Sequence, residues 1–422
     1  MITTVLVAGA PLDPCHVLAQ ATVIHGRGGF AESGQPSSAT VVIEHPVGSM
    51  PTWRSGATLQ LSGDHGATFT GRIVERSLSH VDDADGTRWG QFTVTAAGAL
   101  AALGMRKVGD APWPQESGTA RATRILQAAG TPWAVDGTAD LIVLPRDVDA
   151  QPAAGLLEDL ATDTAAAVFD TPTGEVVYQA LSGRDRPVVP FMWSDFDPAL
   201  TWADFDPALT WNGDPPSIGE WPSQTSEFPV VLPCSAVAWE PEWRSSESMV
   251  INQVRVGYGT DNPQAVAELE DAASIAAHNR RYLYLGTQLA TNVDATARAT
   301  HILTTQAQDR WQISDVTVAL DQLDPTTYAQ VLGLLCGDHV TLQGLPQPAP
   351  ATDWTGICEG WTFTQWAQAG TIHEQLTLTL SDLLLSLAVM RWDDYPGPYI
   401  WADHPSHLTW GNLTDVAVLE AA

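Results

Sequence analysis

Gly337-Asp-His-Val-Thr-Leu-Gln-Gly344 repeats in outline a phrase from the start of the chain, Gly56-Ala-Thr-Leu-Gln-Leu-Ser-Gly63. Both read as short strands bounded by turn residues. Two further parallels follow in the same order. Gly356-Ile-Cys-Glu359 matches Gly71-Arg-Ile-Val-Glu75, one residue shorter, and His373-Glu-Gln-Leu-Thr-Leu-Thr-Leu380 matches Gln91-Phe-Thr-Val-Thr95. Order is kept and gaps are similar, which points to two copies of one β-domain. The fold class that follows is α+β, mostly β. It comprises two copies of one antiparallel β-domain, a small barrel or sandwich, related by internal duplication, with a small α/β insert between them.

Around these phrases the chain divides into five parts. Residues 1–100 carry regular short strands (Val17 to His25, Ala39 to Glu44, Thr58 to Gly63, Phe69 to Glu75, Gln91 to Thr95) and form the first barrel. The Gly26-Arg-Gly-Gly29 turn lacks the lysine and the following helix of a phosphate loop. Residues 101–187 form the insert. There Ala122, Ile125, Leu126 and Ala129 make a helical stripe ending at Gly130, and a second helix starts at Pro152 with Leu156, Leu157, Leu160 and Ala161 inward. A hairpin is expected around Pro172-Thr-Gly174. Residues 188–233 are a connection rich in Pro and Gly, and residues 234–385 form the second barrel with helices. Its strand Met249 to Tyr258 is followed by three predicted helices. Val266, Leu269, Ala273 and Ala276 mark the first, and Ala295, Ala299, Ile302 and Leu303 the second. The third has Asp324 as N-cap, Pro325 in its first turn, Tyr328, Val331, Leu332 and Leu335 inward, and Gly337 after its end. Residues 386–422 are a C-terminal extension.

Two tryptophan arrays lie outside both barrels. Trp193-Ser-Asp-Phe-Asp-Pro-Ala-Leu-Thr repeats at once as Trp202-Ala-Asp-Phe-Asp-Pro-Ala-Leu-Thr and closes on Trp211; Trp392, Trp401 and Trp410 keep the same spacing near the C-terminus. Nine is an odd period, so a plain strand would put successive indoles on opposite faces. The Asp-Pro step favours a turn, which returns each Trp to one side. Three uses fit such a ladder: a cap over the domain's own core, a subunit interface, or sugar binding by exposed indoles. The Asp-x-Asp pairs lack the glycines of a calcium-binding nonapeptide repeat.

Charge narrows the function classes. The chain has 422 residues, 49 of them acidic against 19 basic, a net charge of −30, with Lys107 its single lysine. Such a surface does not neutralise phosphates, so sequence-independent nucleic-acid binding is excluded. An acidic wall can still serve DNA by repelling it as it slides past. No apolar run reaches the length of a membrane span, and the start lacks the basic residues of a signal peptide, so synthesis and folding in a cytoplasm are expected. The four cysteines (Cys15, Cys234, Cys336, Cys358) are far apart, which favours buried thiols over zinc or disulfides.

The Gly71-Arg-Ile-Val-Glu75 strand, the Val250-Ile-Asn-Gln-Val254 strand, the Gly337-Asp-His-Val-Thr-Leu strand after a helix, and an α/β insert between two barrels together carry a resemblance. They resemble the tail hub, or minor tail, proteins of long-tailed, siphovirus-type bacteriophages; the spike base of type VI secretion systems is similar. The resemblance covers roughly residues 15–385 as an architecture. It implies that both β-domains are tube-like antiparallel β-barrels, and a homotrimer whose paired barrels make a pseudo-sixfold ring, matching the hexameric tail tube on one side and threefold tip proteins on the other. Implied partners are further copies of the chain, the distal tail or tail-tube ring, and other tail-tip and tape-measure proteins, with DNA passing through the lumen and no specific nucleic-acid binding. The implied location is the virion tail tip, after assembly in the host cytoplasm. The Trp arrays depart from the common hub pattern and resemble Trp-rich tails of minor tail proteins from phages of high-GC actinobacterial hosts.

Neither the resemblance nor the residues supply catalytic, cofactor-binding or metal-binding positions, and no enzymatic activity is expected. There is no Gly-x-Ser-x-Gly and no His-Glu-x-x-His. A metal at Asp403, His404 and His407 is disfavoured because Pro405 spoils helical spacing. The residues singled out are Trp193, Trp202, Trp211, Trp392, Trp401 and Trp410, as a packing or interface ladder. The competing function is a tail adhesin that holds host-wall glycans through these indoles.

Overall fold

The computed structural model describes residues 1–181 and 230–382, apart from short stretches at 29–33, 48, 50, 64–65, 83–87, 110–111, 138–140, 239–240, 246–248, 262–263, 347–348, 350–351 and 369–370. Strands predominate. The first run is β1 (Ile2–Val7), β2 (Val17–Gly26), β3 (Ser38–Pro46), β4 (Thr58–Gly63), β5 (Gly66–Asp82) and β6 (Arg88–Ala97). Next come α1 (Ala99–Leu103), α2 (Gly118–Ala129), β7 (Trp133–Asp136), α3 (Ala153–Thr164), β8 (Ala167–Asp170) and β9 (Val176–Gln179). The chain returns as β10 (Val230–Pro233), β11 (Gln253–Tyr258), β12 (Ala265–Glu270), α4 (Ala272–His278), β13 (Tyr282–Gly286) and α5 (Asn292–Gln306). It ends with β14 (Asp315–Ala319), α6 (Pro325–Leu332), β15 (His339–Gln343), β16 (Asp353–Gln368) and β17 (Thr371–Asp382).

Both runs belong to one twelve-stranded sheet, ordered β10–β15–β16–β2–β3–β6–β5–β4–β1 and ending on Ala10–Pro11, with β17 and then β14 branching from β16. Among the described residues this pairing is open, not two separately closed barrels. The reason is β16, whose sixteen residues outreach any one neighbour. One edge pairs with β17 along most of its length. The opposite edge pairs first with β15, up to Ile357, and then with β2, from Gly360 to Trp366.

The three phrases matched in sequence occupy matching places in this pairing. β4 and β5 form a short antiparallel hairpin, then β5 bulges between Ile73 and Glu75 and continues in a long hairpin with β6. β15 and β16 form the same short hairpin, β16 bulges between Cys358 and Gly360, and a long hairpin with β17 follows. Two residues before each bulging pair stands a glycine under an aromatic ring. A Cβ on Gly71 would lie 2.4 Å from the Phe69 ring and 2.4 Å from Ala97 O; on Gly356 it would lie 2.3 Å from the Trp354 ring and 2.7 Å from Ser381 O. Only a residue without a side chain lets the strands cross this closely. Alternating burial follows: Gly90, Phe92, Val94 and Ala96 point inward on β6, as do Leu376, Leu378 and Leu380 on β17.

One hydrophobic core runs through both parts of this sheet, from Val23, Val41, Leu59 and Phe69 to Leu342, Trp361, Phe363 and Leu378. A second core brings together residues distant in sequence. Ile125 and Leu126 of α2, Leu157 of α3 and Tyr178 of β9 pack with Val254, Val256, Ala299 and Ile302. The α2 stripe is buried as its spacing predicts, and Gly130 closes the helix at φ +60°, its N–H bonded to the carbonyls of Leu126 and Gln127.

Two predicted helices differ. Val266 and Leu269 lie in a strand, β12, because β11 needs an antiparallel partner, and Ala265, Ala267 and Leu269 alternate inward. The helix begins only at Ala272, where the Asp271 carboxylate accepts the Ser274 N–H. The third helix does start on Asp324 and Pro325 but stops at Leu332 with Gly333 as its cap. Gly337 (φ +98°) turns the chain into β15 instead, its N–H donating to Cys358 O at 2.7 Å.

Candidate functional site at the strand junction

The candidate interface residues Trp193, Trp202, Trp211, Trp392, Trp401 and Trp410 lie outside the described residues, as do Asp403, His404 and His407. Within the described residues the most elaborate polar constellation sits where β2 joins β16. In sequence, Gly26 and Arg27 read as part of a turn and Glu359 only as the end of a matched strand phrase. The signal was a carboxylate set between Cys358 and Gly360-Trp361, an apolar setting for a charge.

At the junction two glycines face each other. A Cβ on Gly26 (φ +84°) would meet Glu359 O at 2.3 Å, and one on Gly360 would meet His25 O at 2.5 Å. The bulge carries Glu359 inward, where it is fully buried and takes an ion pair from Arg27, Nε to Oε2 2.6 Å. The Arg27 amide donates to Glu359 O at 2.8 Å, so backbone and side chain clamp the same two residues. In a low-dielectric site each charge depends on the other, and losing one partner of such a pair costs about 3–5 kcal/mol.

Beside the pair, the His25 ring packs against Trp361, tilted by 52° with centroids 4.5 Å apart, and the Trp361 indole N–H donates to Leu334 O at 2.8 Å. His25 Nε2 contacts Thr68 O at 2.9 Å and Nδ1 contacts Ser37 Oγ at 2.5 Å. Burial pushes the His25 pKa down, against the Thr68 carbonyl and the Asp170 carboxylate, which push it up. Asp170 Oδ1 accepts from the Ser37 hydroxyl and from its N–H (2.9 Å), while Oδ2 accepts the Leu100 N–H at 3.1 Å. The composition is that of a serine hydrolase triad, but the order is not. A relay places histidine between serine and carboxylate. Here the hydroxyl lies between the other two, and the far imidazole nitrogen is taken by a backbone carbonyl. The group ties α1, β2, β5 and β8 together and does not arm a nucleophile.

A cavity beside His25, Asp170, Cys336 and Trp361 measures ≈ 10 Å³, room for about one water. Cys336 and Cys358 are buried, with burial pushing the Cys358 thiol well above the ordinary thiol pKa. Cys15 is exposed and Cys234 half-buried, so the expectation of buried thiols holds for only two of the four. Among the described residues no cluster of three or more His, Cys, Asp or Glu has metal-binding geometry, and no helix is long and apolar enough to cross a membrane.

By sequence, no protein-family model and no curated protein matches the chain. By structure, its fold is that of prophage tail proteins. The 43 kDa tail protein of prophage MuSo2 from Shewanella oneidensis superposes with a TM-score of 0.58 at 10% identity, covering 90% of this chain and 98% of that one. The tail protein from Neisseria meningitidis MC58 gives 0.56 at 11% identity, covering 90% and 96%. Prophage tail protein gp18 from Listeria monocytogenes EGD-e gives 0.50 at 11% identity, covering 90% and 95%.

Proposed function

We propose that the chain is a structural, non-enzymatic component of a bacteriophage tail, a hub or minor tail protein at the tail tip. Three copies form a pseudo-sixfold ring that joins the tail tube to the tip and lines the channel for DNA. The observation that carries this reading is the fold, shared with prophage tail proteins over nearly the full length of both chains. The repeated order of short hairpin, bulge and long hairpin supports a duplicated β-unit. Two similar units per chain are what a trimer needs to meet a sixfold tube. The net charge of −30 supports a channel that repels DNA, so that the duplex moves without sticking.

In this reading the neighbours are the tail-tube ring, tape-measure protein and other tip proteins, and the six tryptophans of the two arrays contact a neighbouring subunit or tip protein. The test is solution mass by light scattering over a range of concentration and salt. A trimer, or a ring of trimers, is expected. A strict monomer whose indole fluorescence shifts with host-wall fragments would replace the ring with the glycan adhesin.

A further inference from the structure

Along β16 the edge that β2 covers is Gly360–Trp366. Counting from the bulge, the matching residues of β5 are Glu75–Val81. Their one edge pairs with β6, and no strand among the described residues pairs with the other. That this is the same edge follows from the registers. Arg72 pairs with both Thr58 and Ala97, so β4 and β6 lie on opposite sides of β5, just as β15 and β17 lie on opposite sides of β16 at Ile357. Beyond the bulge the β4 side of β5 is open where the β15 side of β16 is filled by β2.

The side chains register the difference. Phe363 is 1% exposed, while Leu78, its counterpart by position, is 48% exposed. Val74 and Val81 on the same strand are 57% and 41% exposed. Every residue from Val74 to Val81 is exposed, whereas Glu359–Phe363 is buried but for half-buried Thr362. A long strand edge with apolar side chains and no partner is a template for another chain, which monomeric proteins avoid presenting.

We propose that the open edge of β5, Glu75–Val81, receives a β-strand from a second copy of this chain, as β16 receives β2 within the chain. The pairing order also indicates which strand arrives. β2 lies antiparallel beside β3, which pairs with β6. In the second run, β14 pairs with β17, and on its other side lie Val237, antiparallel opposite Val318, and the short strand Trp243–Arg244, antiparallel to Gln312–Ile313 just before β14. Val237 and Trp243–Arg244 stand in the place of β2, and in the neighbouring copy they mark the edge offered to β5. The contact joins two different surfaces head to tail, the kind that closes into a ring. Backbone bonds supply the affinity, and Leu78 fills its place in the neighbour's core as Phe363 does within the chain. This inference rests on the ring reading and gives it a particular interface.

The test compares the wild-type chain with Leu78→Lys by light scattering and by amide hydrogen exchange. Leu78 is already half exposed, so lysine leaves the folded monomer intact, which circular dichroism checks. Association weakened on the order of tenfold or more is expected for the variant. Amides of Glu75–Val81 are expected to be protected in assembled wild type and to exchange fast in the variant. Assembly of the wild type with these amides still exchanging fast, or unchanged assembly of Leu78→Lys, overturns the edge pairing and leaves the ring standing. A wild-type chain that is monomeric at every concentration overturns both.

Discussion

A few residues here have no freedom, and each can be tested alone. At Gly71 and Gly356 an added Cβ meets a carbonyl oxygen and an aromatic ring, so Gly71→Ala and Gly356→Ala are each expected to cost about 2 kcal/mol in denaturant unfolding. Alanine at an exposed glycine such as Gly155, where a Cβ meets nothing within 4 Å, is the control and should be neutral or slightly stabilising. Arg27→Ala removes an ion-pair partner from the buried Glu359 carboxylate and is expected to cost about 3–5 kcal/mol, whereas replacing both partners by leucine or methionine should recover most of it. Asp163 supplies a pH signature. Burial lifts its pKa from 3.8 to about 6, against an opposing hydrogen bond from the Gln288 amide. The folded chain therefore binds this proton more tightly than the unfolded one. Its contribution is present in full below about 3.8 and lost as pH rises through about 6. Asp163→Asn should match wild type near pH 4 and exceed it by about 2 kcal/mol at pH 7.5, read from urea midpoints.

Elements in this chain take their form from neighbours as much as from their own pattern. β12 contains a helix-like spacing at Val266 and Leu269, yet pairing with β11 offers six ladder positions and buries Ala267. A period-two alternation in the same residues becomes decisive once a partner strand is present. The prediction at this scale is that Leu269→Pro removes a ladder amide and uncouples β12, with loss of the second core. Exchange protection should fall in β11 and β13 while β16 and β17 keep theirs. The capped helices behave differently. Asp324, with its carboxylate accepting the amides of Thr326 and Thr327, sets where α6 begins whatever packs on it. Asp324→Ala is expected to cost about 1 kcal/mol.

For the whole molecule, strand order matters more than any one contact. A shared core through both strand runs makes the junction a place where unfolding of one run exposes the other. A single cooperative transition for the described body is therefore expected by calorimetry. Assembly is a separate property. Replacing Trp202 and Trp401 with Ala is expected to weaken association and leave the circular-dichroism spectrum of the isolated chain intact. Loss of the spectrum would instead make the arrays a cap over the chain's own core.

The sequence by itself determined the mostly-β class, the two matched runs of phrases, the α2 and α3 stripes and the helix start at Asp324. These depend on local period, glycine placement and capping, which neighbouring residues encode. It also determined the charge, and with it the kind of partner the surface repels. Only the tertiary structure decided that β2 crosses to β16, that Glu359 and Arg27 meet in the interior, and that β12 is a strand. Residues more than three hundred positions apart settle the first two points through hydrogen-bond geometry and burial, and no window of sequence contains both partners; β12 is settled by its ladder with the nearby strand β11, whose pull outweighs a local pattern that also fits a helix. The open edge of β5 belongs to the same class. The strand read in sequence at Phe69 to Glu75 runs on through Leu78 and Val81, and only the covered twin of that edge shows what is absent beside it.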